Sequence, residues 1–130
     1  MESRLSLLLV DERDSAADAA VLLRRWGHRV KQVDDPVGGV KEARLSKPDL
    51  VLIDLTTPGR NSLESEGRLI EALSTDGARL AALVSAATDA SIHDLKSAGV
   101  RDCLKKPVTP LELLMQIVKT RESIVKSAVD

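Results

Sequence analysis

The segment PDLVLIDLTTPG, residues 48–59, decides how this chain reads. Leu50 to Ile53 is an unbroken apolar run of strand length. Unbroken runs, as opposed to alternating ones, belong to strands covered on both faces. The run closes on an acid, Asp54, and Pro58 follows four residues later. In open α/β sheets, ligand chemistry gathers beyond the carboxyl ends of the strands. Asp54 is therefore the first candidate for a functional side chain.

Similar runs lie on either side. Leu5 to Val10 and Leu80 to Val84 read as strands, and Val30 to Val33 and Val100 to Leu104 more weakly so. Amphipathic stretches fill the intervals. Ser15 to Trp26 carries Ala16, Ala19, Ala20, Leu23 and Trp26 at helical spacing, and Gly27 stops it. Asp35-Pro36 reads as a cap and a first-turn proline opening a helix to about Leu45, weakened by Gly38 and Gly39. Leu63, Ile70 and Leu73 mark a third helix, and Asp89 to Ala98 a fourth, closed by Gly99. Thr109-Pro110-Leu111-Glu112 combines a capping box with a first-turn proline. It opens the longest helix, with Leu111, Leu114, Val118 and Val125 near one stripe.

Strand and helix thus alternate five times. The expectation is a single doubly wound (βα)5 domain of flavodoxin-like type, with a five-stranded parallel sheet and helices on both faces. It occupies residues 1–130, with a core from about 5 to 125 and no effector domain in this chain.

Composition narrows the function. The chain has 130 residues, net charge -1, 43% hydrophobic and 30% charged residues. That fits one packed domain and argues against a strongly electrostatic nucleic-acid binder or a polybasic membrane anchor. Aromatic content is 1%, Trp26 alone, so a base-stacking platform is excluded. The only cysteine, Cys103, rules out an internal disulfide and suits a reducing compartment. The N-terminal apolar run is too short for a membrane span, and Asp11-Glu12 follows where a signal peptide needs small neutral residues. A cytoplasmic setting is expected, with no direct nucleic-acid or membrane partner.

The strand ends supply the chemistry. The first ends in Asp11-Glu12, the third in Asp54, the fourth in Ser85, and the fifth runs into Lys105-Lys106-Pro107. Crowded carboxylates need a cation, and hard oxygen ligands favour Mg²⁺. A carboxylate beside Mg²⁺ is a competent nucleophile toward phosphorus, with a lysine offsetting charge on the transferred group.

The segments LLLVDER (7–13), PDLVLIDLTTPG (48–59), ALVSAATD (82–89) and AGVRDCLKKP (98–107) together resemble the response regulator receiver domains of two-component signalling. The resemblance runs from about Leu5 to Val125. It implies that Asp54 is the phosphoacceptor and that Asp11, Glu12, Asp54 and the carbonyl of Thr56 bind Mg²⁺. It also implies that Ser85 and Lys106 contact the phosphoryl group, and that Lys106-Pro107 is a cis bond. The implied donor is a sensor histidine kinase or histidine phosphotransfer protein. The implied receiver of the signal is a downstream protein or a separate effector domain. The face formed by the fourth helix, fifth strand and fifth helix is the implied switching surface and a candidate homodimer contact. No turnover of a diffusible substrate is expected.

Some positions depart from the family pattern. The separations admit two alignments at the first strand. A gapless one puts Asp11 on the more important acid and Val10 on its partner, and a one-residue deletion makes Asp11-Glu12 the pair. Thr57 stands where an apolar residue is usual, and Ser62 where a glycine is usual. The stretch from Ser85 to Lys106 is one residue short. Cys103 replaces the usual aromatic residue of the fifth strand, which removes the usual aromatic coupling. These departures motivate an alternative function, a pseudo-receiver that binds proteins without phosphorylation. A dehalogenase-type phosphatase would need D-x-D after the first strand, and a flavodoxin a Ser/Thr/Gly-rich loop there; neither is present. No G-x-G-x-x-G, P-loop or G-x-S-x-G motif occurs.

The remaining conspicuous residues have simpler readings. Cys103 reads as a small buried hydrophobe, Trp26 as core or semi-buried packing, and Arg24-Arg25 as a solvated helix face. His28 and His93 lack metal-ligand partners at useful spacing. Lys105 reads as a surface charge.

Overall fold

A computed structural model describes residues 4–11, 17–55, 62–85 and 89–129. The strands are β1 (Ser6–Val10), β2 (Arg29–Val33), β3 (Leu50–Leu55), β4 (Leu80–Val84) and β5 (Asp102–Lys105). The helices are α1 (Ala17–Arg25), α2 (Pro36–Ser46), α3 (Ser62–Thr75), α4 (Asp89–Ala98) and α5 (Pro110–Val129). All strand pairs are parallel, in the order β2-β1-β3-β4-β5. The doubly wound architecture expected from the apolar runs is therefore present.

The central strands owe their place to those runs. Every residue of β3 and β4 is buried. Alternate side chains feed two cores. Leu8, Val10, Val51, Ile53, Ala82 and Val84 pack with Ala43 of α2 and Leu69, Ile70 and Leu73 of α3. Leu7, Leu9, Leu50, Leu52, Ala81 and Leu83 pack with Ala20 and Leu23 of α1 and Ile117 of α5. Each fully buried leucine contributes on the order of 1.5–3 kcal/mol relative to exposure.

One of the two glycines that weaken α2 in isolation, Gly39, has a tertiary reason. Asp35 caps the helix, its carboxylate accepting from the Gly38 amide. A Cβ on Gly39 would come within 2.9 Å of Val10 Cγ2, so glycine lets the helix lie against β1. Gly67 in α3, by contrast, has nothing within 4 Å of such a Cβ. Gly39→Ala is therefore expected to destabilise by about 1–3 kcal/mol through overpacking. Gly67→Ala is expected to stabilise by about 0.5–1 kcal/mol through helix propensity. Urea midpoints of the two variants check the opposite signs.

The capping box of α5 forms as expected. Thr109 Oγ1 accepts from the Glu112 amide at 3.2 Å, and Glu112 Oε1 accepts from the Thr109 amide at 3.1 Å. Gly99 closes α4 with φ of 118° and lies against Ser74, leaving no room for a side chain.

Three details differ from the sequence reading. Val100 is buried but precedes β5, which starts at Asp102 because Gly99 is still turning the chain. Trp26 is 38% exposed at the end of α1 and lies outside both cores. The α5 stripe of Leu111, Leu114, Val118 and Val125 is exposed, together with Met115. The buried side of α5 is instead Leu113, Gln116, Ile117 and Thr120. Its polar members are satisfied. Gln116 Nε2 donates to Asp102 at 3.2 Å, and the Thr120 hydroxyl donates to the Gln116 carbonyl at 2.8 Å.

His28, which the sequence leaves without a role, holds the start of the sheet. It is buried just before β2, and its Nδ1 accepts from the Leu5 amide at 3.0 Å. Burial, and secondarily the charge of Arg121, depress its pKa below 6.5. The unfolded chain then binds more protons than the folded one between that depressed value and 6.5. Stability from this group is complete above 6.5 and declines as pH falls through that window. Denaturant midpoints measured across it should fall in the native protein and fall less in His28→Gln.

Candidate phosphoacceptor site

The site begins with strand register. Val10 pairs with Ile53, and the amide of Asp11 donates to the Val33 carbonyl at 3.0 Å, so the β1 ladder continues one residue further. That places Asp11 beside Asp54 at the carboxyl ends of β1 and β3. Leu7 and Leu9 share a sheet face with Leu50 and Leu52, and strand alternation carries Asp11 and Asp54 onto that same face. Both acids are buried.

On the other side, Leu55 pairs with Val84 and Val84 with Lys105. Ser85 and Lys106 are the residues immediately beyond. The Lys106 amide donates to the Val84 carbonyl at 2.7 Å, fixing the lysine backbone at the end of β4. From there the ammonium crosses β4, two strand spacings or roughly 10 Å, to the carboxylate of Asp54. Lys106 Nζ and Asp54 Oδ1 form an ion pair in which the aspartate side chain is fully buried and the lysine 19% exposed. The Lys106-Pro107 bond is cis, as the resemblance implies.

Asp11, Asp54, Ser85 and Lys106 therefore converge on one rim of the sheet. Ser85 is the exposed member, on the bend that follows β4. Glu12 and Thr56 lie outside the described residues. Val10 is a different case. It lies on the opposite sheet face, packed toward Gly39 of α2, and is turned away from the acids. Cys103 also belongs to that opposite core, half-buried, with burial raising its thiol pKa. A thiol held neutral in that setting is a packing group, in keeping with the simple reading.

Among the described residues, the acidic part of the rim offers the carboxylate oxygens of Asp11 and Asp54, which suit a hard cation such as Mg²⁺. Among the described residues, no three His, Cys, Asp or Glu side chains converge on a metal position. Protein ligation from the described chain would therefore come from the carboxylates of Asp11 and Asp54. Partial ligation by a pair of carboxylates is the usual arrangement for Mg²⁺, which retains several waters. Arg24 and Lys105, by contrast, lie away from the rim or face solvent. Arg24 donates to Gln32 and to the Val30 carbonyl, and Lys105 is exposed.

Fold and rim together define the receiver class of doubly wound α/β domains. The family model of the response regulator receiver domain matches residues 7–118, and the chain belongs to that family. Among curated relatives it is 30% identical over 112 residues to protein PilH of Pseudomonas aeruginosa, covering 85% of this chain and 93% of that protein. It is also 30% identical over 117 residues to the DNA-binding response regulator MtrA of Mycobacterium tuberculosis, covering 88% of this chain but only 49% of that one. The structure resembles a CheY-like receiver domain protein from Methanospirillum hungatei with a TM-score of 0.78 and 21% identity. That likeness covers 95% of this chain and 98% of the other. The matched residues 7–118 thus form a response regulator receiver domain, of the two-component class. No helix among the described residues is long and apolar enough to cross a membrane.

Proposed function

We propose that this domain accepts a phosphoryl group on Asp54 and converts its presence into altered protein contacts. The single observation that carries the reading is the buried Asp54 carboxylate, in register with Asp11 and ion-paired to Lys106. A carboxylate oxygen of Asp54 attacks phosphorus of a phosphohistidine on a sensor kinase or phosphotransfer protein. The O–P bond forms, the N–P bond breaks, and the electron pair leaves on the imidazole. Lys106 exchanges its carboxylate partner for a phosphoryl oxygen and offsets its charge. The Ser85 hydroxyl donates a hydrogen bond to another phosphoryl oxygen. Asp11 and Asp54, with Glu12 and the Thr56 carbonyl by family resemblance, would hold Mg²⁺. When bound, Mg²⁺ supplies charge neutralisation at the transferring group. Water attack later restores the carboxylate, so the domain assists its own chemistry and turns over no diffusible substrate.

The contact face proposed for the output is the one formed by α4, β5 and α5. Its support is the exposed stripe of Leu111, Leu114, Met115, Val118 and Val125. Clustered apolar side chains in water mark an interaction surface. A downstream protein, a separate effector domain or a second copy of this chain would dock there, in the cytoplasm.

A second reading, the pseudo-receiver, is favoured by Cys103. A small half-buried thiol in β5 cannot report phosphorylation by turning a ring inward. Intact mass after incubation with acetyl phosphate and Mg²⁺ separates the two. The first reading expects a gain of one phosphoryl group that maps to Asp54. An unchanged mass leaves the pseudo-receiver.

A further inference from the structure

The opposite rim of the sheet carries a second polar cluster. Arg79 directly precedes β4 and Arg101 precedes β5 by one residue. Both are locked into the ladder. The Arg79 carbonyl accepts from the Val51 amide and the Arg101 amide donates to the Leu80 carbonyl, each at 2.9 Å. Their side chains rise to α5 and meet at one oxygen. Arg79 Nε donates to Ser123 Oγ at 2.9 Å, and Arg101 Nη1 donates to that same oxygen. Arg79 Nη2 also donates to Ser127 Oγ at 3.3 Å.

Among the described residues, neither guanidinium has a carboxylate within ion-pair distance. The adjacent acid, Asp102, is engaged by Gln116 and by Lys119. Two cations thus converge on one neutral hydroxyl, and their mutual repulsion is unfavourable. The hydrogen-bond inventory points the same way. The hydroxyl of Ser123 uses both lone pairs to accept, so its own proton is left to donate outward. The Ser127 hydroxyl proton goes to the Ser123 carbonyl at 3.0 Å. The Ser123 O–H and the guanidinium N–H groups not used on Ser123 and Ser127 are left as donors, and the Asp102 carboxylate shares the small cleft that Arg79 and Arg101 line.

We infer that Arg79, Arg101 and Ser123 form a binding site for a phosphate-type oxyanion, at the opposite end of the sheet from Asp54. A tetrahedral dianion matches the charge of two guanidinium groups and the donors they leave unused. The site is independent of the phosphoacceptor chemistry proposed above, because β4 alone separates the two rims by roughly 16 Å. Inorganic phosphate and the phosphate group of a nucleotide or a phosphorylated peptide share this chemistry.

The test is an amide NMR titration of the Asp54→Asn protein, in which no aspartyl phosphate forms at position 54. Inorganic phosphate, ADP and a phosphoserine peptide are added separately, at ionic strength held constant with chloride. Saturable shifts at Arg79, Arg101, Ser123 and Ser127 are expected, and the tightest arm identifies the source. Arg101→Gln, an exposed position whose spectrum reports retained folding, should weaken the tightest arm at least about tenfold. Ser123→Ala should weaken it as well. Shifts that never saturate, that track chloride, that fall on the Asp54 rim, or that survive Arg101→Gln would each overturn the site.

Discussion

Replacing Asp54 by asparagine is expected to abolish the mass gain from acetyl phosphate completely while leaving the fold intact. The amide keeps the volume of the carboxylate, so the cores on either side of β3 are undisturbed. It has no anionic oxygen to attack phosphorus. The substitution also removes one of two neighbouring buried carboxylates, Asp11 and Asp54, whose mutual repulsion opposes folding. The expected stability change is therefore small or favourable, despite the loss of the lysine pair. Intact mass with and without phosphodonor, together with a urea midpoint, measures both parts. Residual phosphorylation on the variant would place the acceptor elsewhere.

Lys106→Met carries the second large effect, and it is on stability. The lysine ammonium faces a carboxylate that is wholly removed from solvent. Deleting one partner of a buried pair typically costs about 3–5 kcal/mol, because the charge left behind is poorly solvated. The partly exposed lysine puts this case near the lower end, about 3 kcal/mol. Combining Lys106→Met with Asp54→Asn removes the buried charge too and should recover most of that loss. A double variant as unstable as the sum of its parts would show that the two side chains do not interact.

The layout of the sheet was legible because β1, β3 and β4 are built on apolar runs, nearly continuous at β1, and are almost wholly buried. Asp54 and Lys106 were legible because strand ends are marked by abrupt changes from apolar to charged residues. Val10 was harder. Alignment by separation alone allowed it to stand for an acid, and only the alternation of side chains along β1 turns it into the α2 core. Gly39 looked like a flaw in a helix until Val10 supplied the reason for it. The α5 stripe shows the converse limit. Helical spacing identifies which residues share a face, but α5 has two apolar lines, and periodicity does not say which one meets the sheet. His28 and the Arg79–Arg101–Ser123 cluster were invisible for another reason. Their partners lie more than twenty residues away in sequence and meet only through parallel pairing and the packing of α5 on the sheet.

The central claim is that Asp11 and Asp54 hold a divalent ion at the rim where Lys106 ends. A Mn²⁺ titration followed by amide line broadening tests it most directly. Broadening should appear first at Asp11, Asp54, Ser85 and Lys106, be competed by Mg²⁺, and weaken strongly in Asp11→Asn. Broadening centred on any other part of the molecule, or unaffected by that substitution, would contradict it.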